Sequence, residues 1–82
     1  MTHPIIPFMA KIASAQANTH ADLFAAEINT FGGCRENIAP HPVRIQLHGV
    51  IASGKGDWEA MRNWIKTAEF HPHYLAANTA ML

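Results

Sequence analysis

Apolar and small residues recur along the first third of the chain at three- and four-residue steps. Met9, Ala13, Ala17, Ala21, Phe24, Ile28 and Phe31 fall on one helical face. Alanine-rich composition favours the helix, and Gly32-Gly33 ends it with a residue free to take positive φ. The unbroken stripe predicts one helix from about Ile5 to Phe31. Thr19-His-Ala-Asp22 resembles a capping box, so two helices joined at Asn18-Thr19 form the alternative.

The period then changes from about four to two. Val43, Ile45 and Leu47 alternate with Arg44, Gln46 and His48, the pattern of a half-buried strand. The apolar run continues through Val50 and Ile51, so the strand is expected to run on, with Gly49 as a bulge or a point of close approach. Cys34 to His41 reads as a loop.

A second amphipathic pattern starts at Asp57. Trp58, Met61, Ile65 and Ala68 form its apolar face, Trp64 lies at the edge of that face, and Glu59, Arg62, Lys66 and Glu69 oppose it. His71-Pro72 ends this helix, and a short helix is expected from about Pro72 to Ala80, burying Leu75, Tyr74 and Met81. His3-Pro4, His41-Pro42 and His71-Pro72 each stand where an element opens.

The expected architecture is therefore a small, predominantly helical α+β domain in the order α-β-α-α, with one clear strand. A lone strand leaves backbone groups unpaired. Its mate would be residues Thr2–Ile6, the stretch Arg35–Ala39, the same strand of a second copy, or another protein.

Composition narrows the class. The chain has 82 residues, which makes a single domain spanning 1–82. It is 49% hydrophobic and only 15% charged, against a typical ~25% charged, which argues for a folded protein with few solvating groups. A formal net charge of zero and a large apolar share point to surface hidden against a partner or a second copy, so a homodimer is expected. Six Lys and Arg balance six Asp and Glu without forming a run, which disfavours nucleic acid. No apolar run approaches the ~18 residues of a membrane span. Ala13–Ala15 and Ala15–Ala17 faintly spell a signal-peptidase site, but no basic residue precedes the apolar stretch and Lys11 interrupts it. With Cys34 the single cysteine, a cytoplasmic location is expected.

Gly49–Gly56 reads GVIASGKG, one residue short of a phosphate-binding loop. Gly56 stands where the magnesium-binding Ser or Thr belongs, and the Asp57 carboxylate would compete with phosphate for the helix N–H groups. The expected reading is a turn and a helix start, with no nucleotide and no cofactor.

The six histidines raise the question of metal. His71 and His73 are the only close pair and the weak metal candidates, with Cys34, His41, His48 or Asp57 as possible further ligands. No spacing matches a recognised zinc module. Cys34 beside Arg35 has a cationic neighbour but no base at recognisable spacing, and Asp22, Glu27, Glu59 and Glu69 read as solvated carboxylates. A chain of this size is expected to enclose a pocket of ~300 Å³ only by dimerising. Catalysis is therefore not expected.

The function expected from the residues is a non-catalytic intracellular interaction module, an accessory regulator or inhibitor that docks on a partner. Val43, Ile45 and Leu47 would offer the strand, and Trp64 an exposed anchor. The alternatives are a ligand- or metal-binding module using histidines, and a minimal oligomeric enzyme with its site between subunits.

Overall fold

The computed structural model describes residues 3–37 and 42–80, the last four by backbone alone. Its described elements are α1 (Ile5–Ser14), a 3₁₀ turn (Ala17–Thr19), α2 (His20–Phe31), β1 (Cys34–Asn37), β2 (Val43–Leu47), β3 (Val50–Gly54), α3 (Asp57–Ala68) and α4 (Pro72–Ala80). The α+β class holds, with four helices and a three-stranded antiparallel sheet in the order β1-β2-β3.

The lone strand is thus corrected to three. β2 is central, with Arg35 opposite Ile45 on one side and Ala52 opposite Ile45 on the other. Its backbone partners both come from the same chain, so β2 has no free edge for a second copy. Of the internal mates considered, the Arg35–Ala39 stretch supplies β1 as far as Asn37, and Ile38 to His41 lie outside the described residues. The N-terminal alternative fails because Ile5 and Ile6 are helical.

The expected continuation through Gly49 is a tight hairpin instead. His48 and Gly49 both have positive φ, +53° and +79°, which is the twist a two-residue turn needs between right-twisted strands. Leu47 and Val50 close it. Alternation then sorts the sheet into two faces. Val43, Ile45, Leu47, Val50 and Ala52 face the helices and are buried. Cys34, Glu36, Arg44, Gln46, Ile51 and Ser53 share the other face.

The single long helix is corrected to the two-helix alternative, with α2 starting directly after Asn18-Thr19. Ala15 and Gln16 are extended, with ψ near 150°, and the Thr19 hydroxyl donates back to the Gln16 carbonyl at 2.7 Å instead of capping α2. The break lets two helices lie over one small sheet. It also moves the buried face of α1 onto Ile5, Phe8, Met9 and Ile12, leaving Ala13, Ala17, Ala21 and Phe31 exposed. Gly32 takes φ +81° and ends α2 as expected.

α3 buries Ala60, Met61, Trp64 and Ala68. Trp64 has no exposed surface, whereas Trp58 is 49% exposed, so the expected roles of the two tryptophans are reversed. The cause is a close approach of helix to strand. A Cβ on Gly54 would lie 2.5 Å from the Ala60 backbone nitrogen, so only glycine lets α3 settle on β3. That contact turns Ala60 and Trp64 inward. The Trp64 indole donates to the Leu47 and Val50 carbonyls, each at 3.2 Å, tying α3 to the end of the hairpin. Phe8, Phe24 and Trp64 meet edge-to-face at centroid separations of 5.1 to 5.5 Å and form the centre of the core. No helix among the described residues is long and apolar enough to cross a membrane.

Candidate functional site

The GVIASGKG stretch is not a loop. Val50–Gly54 is strand β3, paired along its length with β2, and Lys55-Gly56 is a bend before α3. Asp57 opens α3 as expected, with Gly56 at the N-cap position. Its carboxylate accepts from Arg35 of β1, an exposed ion pair worth little in stability.

The expected interface residues are placed inside the molecule. Val43, Ile45 and Leu47 are the buried face of the central strand and Trp64 is the middle of the core. None presents a side chain to a partner on a single chain. Among the described residues the large exposed apolar side chains are Phe31, Ile51, Trp58, Phe70 and Leu75, so Leu75 is not buried as expected, and Met81 lies outside the described residues.

The structure does gather histidines, and more than the candidate pair. His71 and His73 lie with rings 5.5 Å apart, and His3 joins them from the start of α1 at 5.0 Å from His71 and 4.3 Å from His73. His48 at the hairpin tip is 6.3 Å from His3. Three separate parts of the chain therefore deliver four imidazoles to one end of the fold. His41 lies outside the described residues. His20 stands apart, its Nε2 against the Ile12 carbonyl.

Two of these rings have the same local cause. In His3-Pro4-Ile5 and in His71-Pro72-His73 the proline opens the helix without needing an N–H partner. The histidine ring then takes the hydrogen bond of the residue after the proline. Ile5 N–H donates to His3 Nδ1 at 3.1 Å, and His73 N–H donates to His71 Nδ1 at 3.2 Å. The next donors are used as well, with Ile6 N–H on the His3 carbonyl and Leu75 N–H on the His71 carbonyl. Imidazole here does the work of an N-cap Ser or Asn. Accepting at Nδ1 fixes the neutral ring as the Nε2–H tautomer, so each ring's remaining nitrogen is a donor.

His48 is anchored differently. Its Nε2 donates to the Glu27 carboxylate at 2.6 Å, and both side chains are nearly buried. The ring stands against Phe8 and Phe31, at centroid separations of 5.8 and 5.0 Å. Glu27 was expected on a solvated helix face. It is the one buried charged residue among those described, and His48 is its reason.

Beside this cluster lies an open cleft of about 410 Å³ on a single chain, which is a surface recess and not an enclosed pocket. His3, Phe31, Cys34, Gln46 and His48 wall it, with the Gly32-Gly33 backbone at its floor. The Cys34 thiol faces the Glu36 and Gln46 side-chain oxygens at 3.7 and 3.8 Å, weak contacts to acceptors that are not bases of the imidazole kind. A second, smaller and more apolar cavity of about 170 Å³ separates α2 from the sheet and has Arg35 and Asp57 at its rim.

Electrostatically, Glu27 is the one carboxylate paired to the cluster among the described residues. Burial holds the His3 ring below the usual histidine range, and His73, His71 and His48 lower it further. Burial does the same to His71, with His73 and His48 adding to it. The ion pairs among the described residues give Glu27 to His48 and no carboxylate to His3, His71 or His73. Among the described residues no three His, Cys, Asp or Glu side chains converge on a point where an ion would be coordinated. The tautomer lock adds a cost: a metal on the free nitrogen of His3 or His71 requires that nitrogen to lose its proton and the cap to break.

Sequence reasoning missed His3, His48 and Glu27 as one group. The signal for His3 was present in the shared His-Pro spelling of positions 3 and 71, whereas the meeting of Glu27 with His48 is made only by the folded chain. Compared with known proteins, the chain matches no family model, no curated protein and no solved structure.

Proposed function

We propose that this chain is a small, non-catalytic binding module whose working surface is the histidine-walled cleft. The observation that carries this reading is the convergence of His3 and His48 on an open volume large enough for a small molecule, about 410 Å³. Rigid elements hold the walls: His3 is fixed by its cap, and His48 by Glu27 and the Trp64-anchored hairpin. Binding is favoured over chemistry because the Cys34 thiol faces side-chain oxygens and is not hydrogen-bonded to an imidazole. A reducing, intracellular setting suits the free thiol of Cys34.

The test is a fragment screen by amide chemical shift. Binders are expected to move the signals of Gly32–Cys34 and Gln46–Gly49 together, and a bulky maleimide on Cys34 should abolish their binding. Binders that collect instead at Ala21, Ala25 and Ile28 would remove this reading in favour of the apolar cavity.

A second reading, a partner-docking regulator or homodimer, rests on Phe70, 74% exposed, and on Trp58. Light scattering across a concentration range checks it. A stable dimer weakened by Phe70→Ser would support it, and a monomer at all concentrations would remove the homodimer.

A further inference from the structure

We infer that the cluster of His3, His48, His71 and His73 is a proton-linked seat for a small oxyanion. This names a ligand class for the proposed cleft and rests on that reading. Three observations lead to it. The rings lie within 4.3 to 6.3 Å of His3 and come from α1, the hairpin and α4. The capped rings of His3 and His71 are fixed as donors at Nε2, so they offer hydrogen to a ligand and no lone pair to a cation. The cleft beside them is open. His3 and His48 line that cleft, and His71, which does not, has its Nε2 3.8 Å from where a Cβ on the lining residue Gly49 would be.

The charges around the rings complete the argument. Facing them are one another and the Glu27 carboxylate, which is spent on His48. A proton on His3 or His71 takes Nδ1, so it breaks that ring's cap and meets the neighbouring rings with no carboxylate paired to it among the described residues. An oxyanion accepting from the Nε2–H groups supplies that negative charge, so it binds the protonated cluster more tightly than the neutral one. Reciprocity then requires the anion to draw protons in. Affinity rises as pH falls, by about tenfold per pH unit for each proton taken up with the anion.

Sulfate is the probe, because its charge is constant across the range. Thermal unfolding and amide shifts would be followed against sulfate, with chloride at matched ionic strength, at about pH 5.5 and 7.5. The expected result is saturable binding at the lower pH, at least about tenfold weaker at the higher, with histidine signals moving upfield to downfield as protons enter. His71→Asn keeps a side-chain acceptor for the cap and removes the Nε2 donor. It is expected to fold and to lose sulfate binding by about tenfold or more. His73→Ala, which removes an exposed ring, is expected to weaken binding without unfolding the chain. Equal sulfate effects at both pH values, or full binding by His71→Asn, would overturn the inference. So would tight zinc binding at the higher pH that needs His3 and His71. If sulfate has no effect while uncharged fragments still shift Gly32–Cys34 and Gln46–Gly49, the oxyanion seat fails and the cleft reading stands.

Discussion

Glu27 and Trp64 each put a polar group into the interior of a chain with little interior to spare, and each is satisfied by the same hairpin. Glu27 accepts from His48 at the hairpin tip, and Trp64 donates to the two carbonyls on either side of it. Removing one partner of such a contact leaves the other buried without its mate. Glu27→Ala is therefore expected to cost about 1–3 kcal/mol in urea unfolding and to free the His48 ring. Trp64→Phe keeps most of the aromatic packing but removes the indole donor shared by the Leu47 and Val50 carbonyls, and about 0.5–1.5 kcal/mol is expected. Tryptophan fluorescence separates the two indoles. Iodide should quench Trp58 and leave Trp64 untouched, and equal quenching would contradict the packing of α3.

At the scale of elements, what the sequence disclosed depended on whether an element carried its own punctuation. α3 and α4 open at Asp57 and Pro72 as the sequence predicts, because Gly56 and His71-Pro72 interrupt the pattern where the helices stop and start. The α1–α2 break showed only as the alternative joint at Asn18-Thr19, since alanines at 13, 17 and 21 suit a helix whether buried or exposed. β1 was hidden because Cys34–Asn37 is polar on both faces, with Arg35 pointing to the helix side and paired to Asp57. The hairpin was hidden because His48-Gly49 replaces the usual Asn-Gly, so the flanking apolar runs join in the sequence. α3's rotation follows from Gly54, whose significance lies in what packs on it. Gly54→Ala places a methyl on the Ala60 backbone and is expected to cost about 1–3 kcal/mol by thermal or urea unfolding. A neutral result would mean that α3 does not sit on β3 in this way.

For the whole molecule, the histidine cluster ties the two ends of the chain together, α1 packing on α4 with His3 stacked on His73. The site was legible only in fragments, because sequence spacing gave the His71–His73 pair and folding added His3 and His48 from 68 and 23 positions before His71. Stability should follow the state of these rings. His3 and His71 have folded pKa values below the unfolded value near 6.5, so the unfolded chain binds more protons between the two. Their contribution is present above pH 6.5 and is lost as pH falls through the folded values. The melting temperature is expected to fall on acidification below about pH 6.5, and the fall should be smaller in His71→Asn.

The most direct measurement is a pH titration of the individual histidine ring signals by NMR, in the free chain and in His73→Ala. The account predicts that His3 and His71 titrate below the ordinary histidine value, and that removing His73 moves both upward because each loses a neighbouring positive charge. Titration of His3 and His71 at the ordinary histidine value, unchanged by the substitution, would mean that the rings do not meet and that the binding site built on them does not exist.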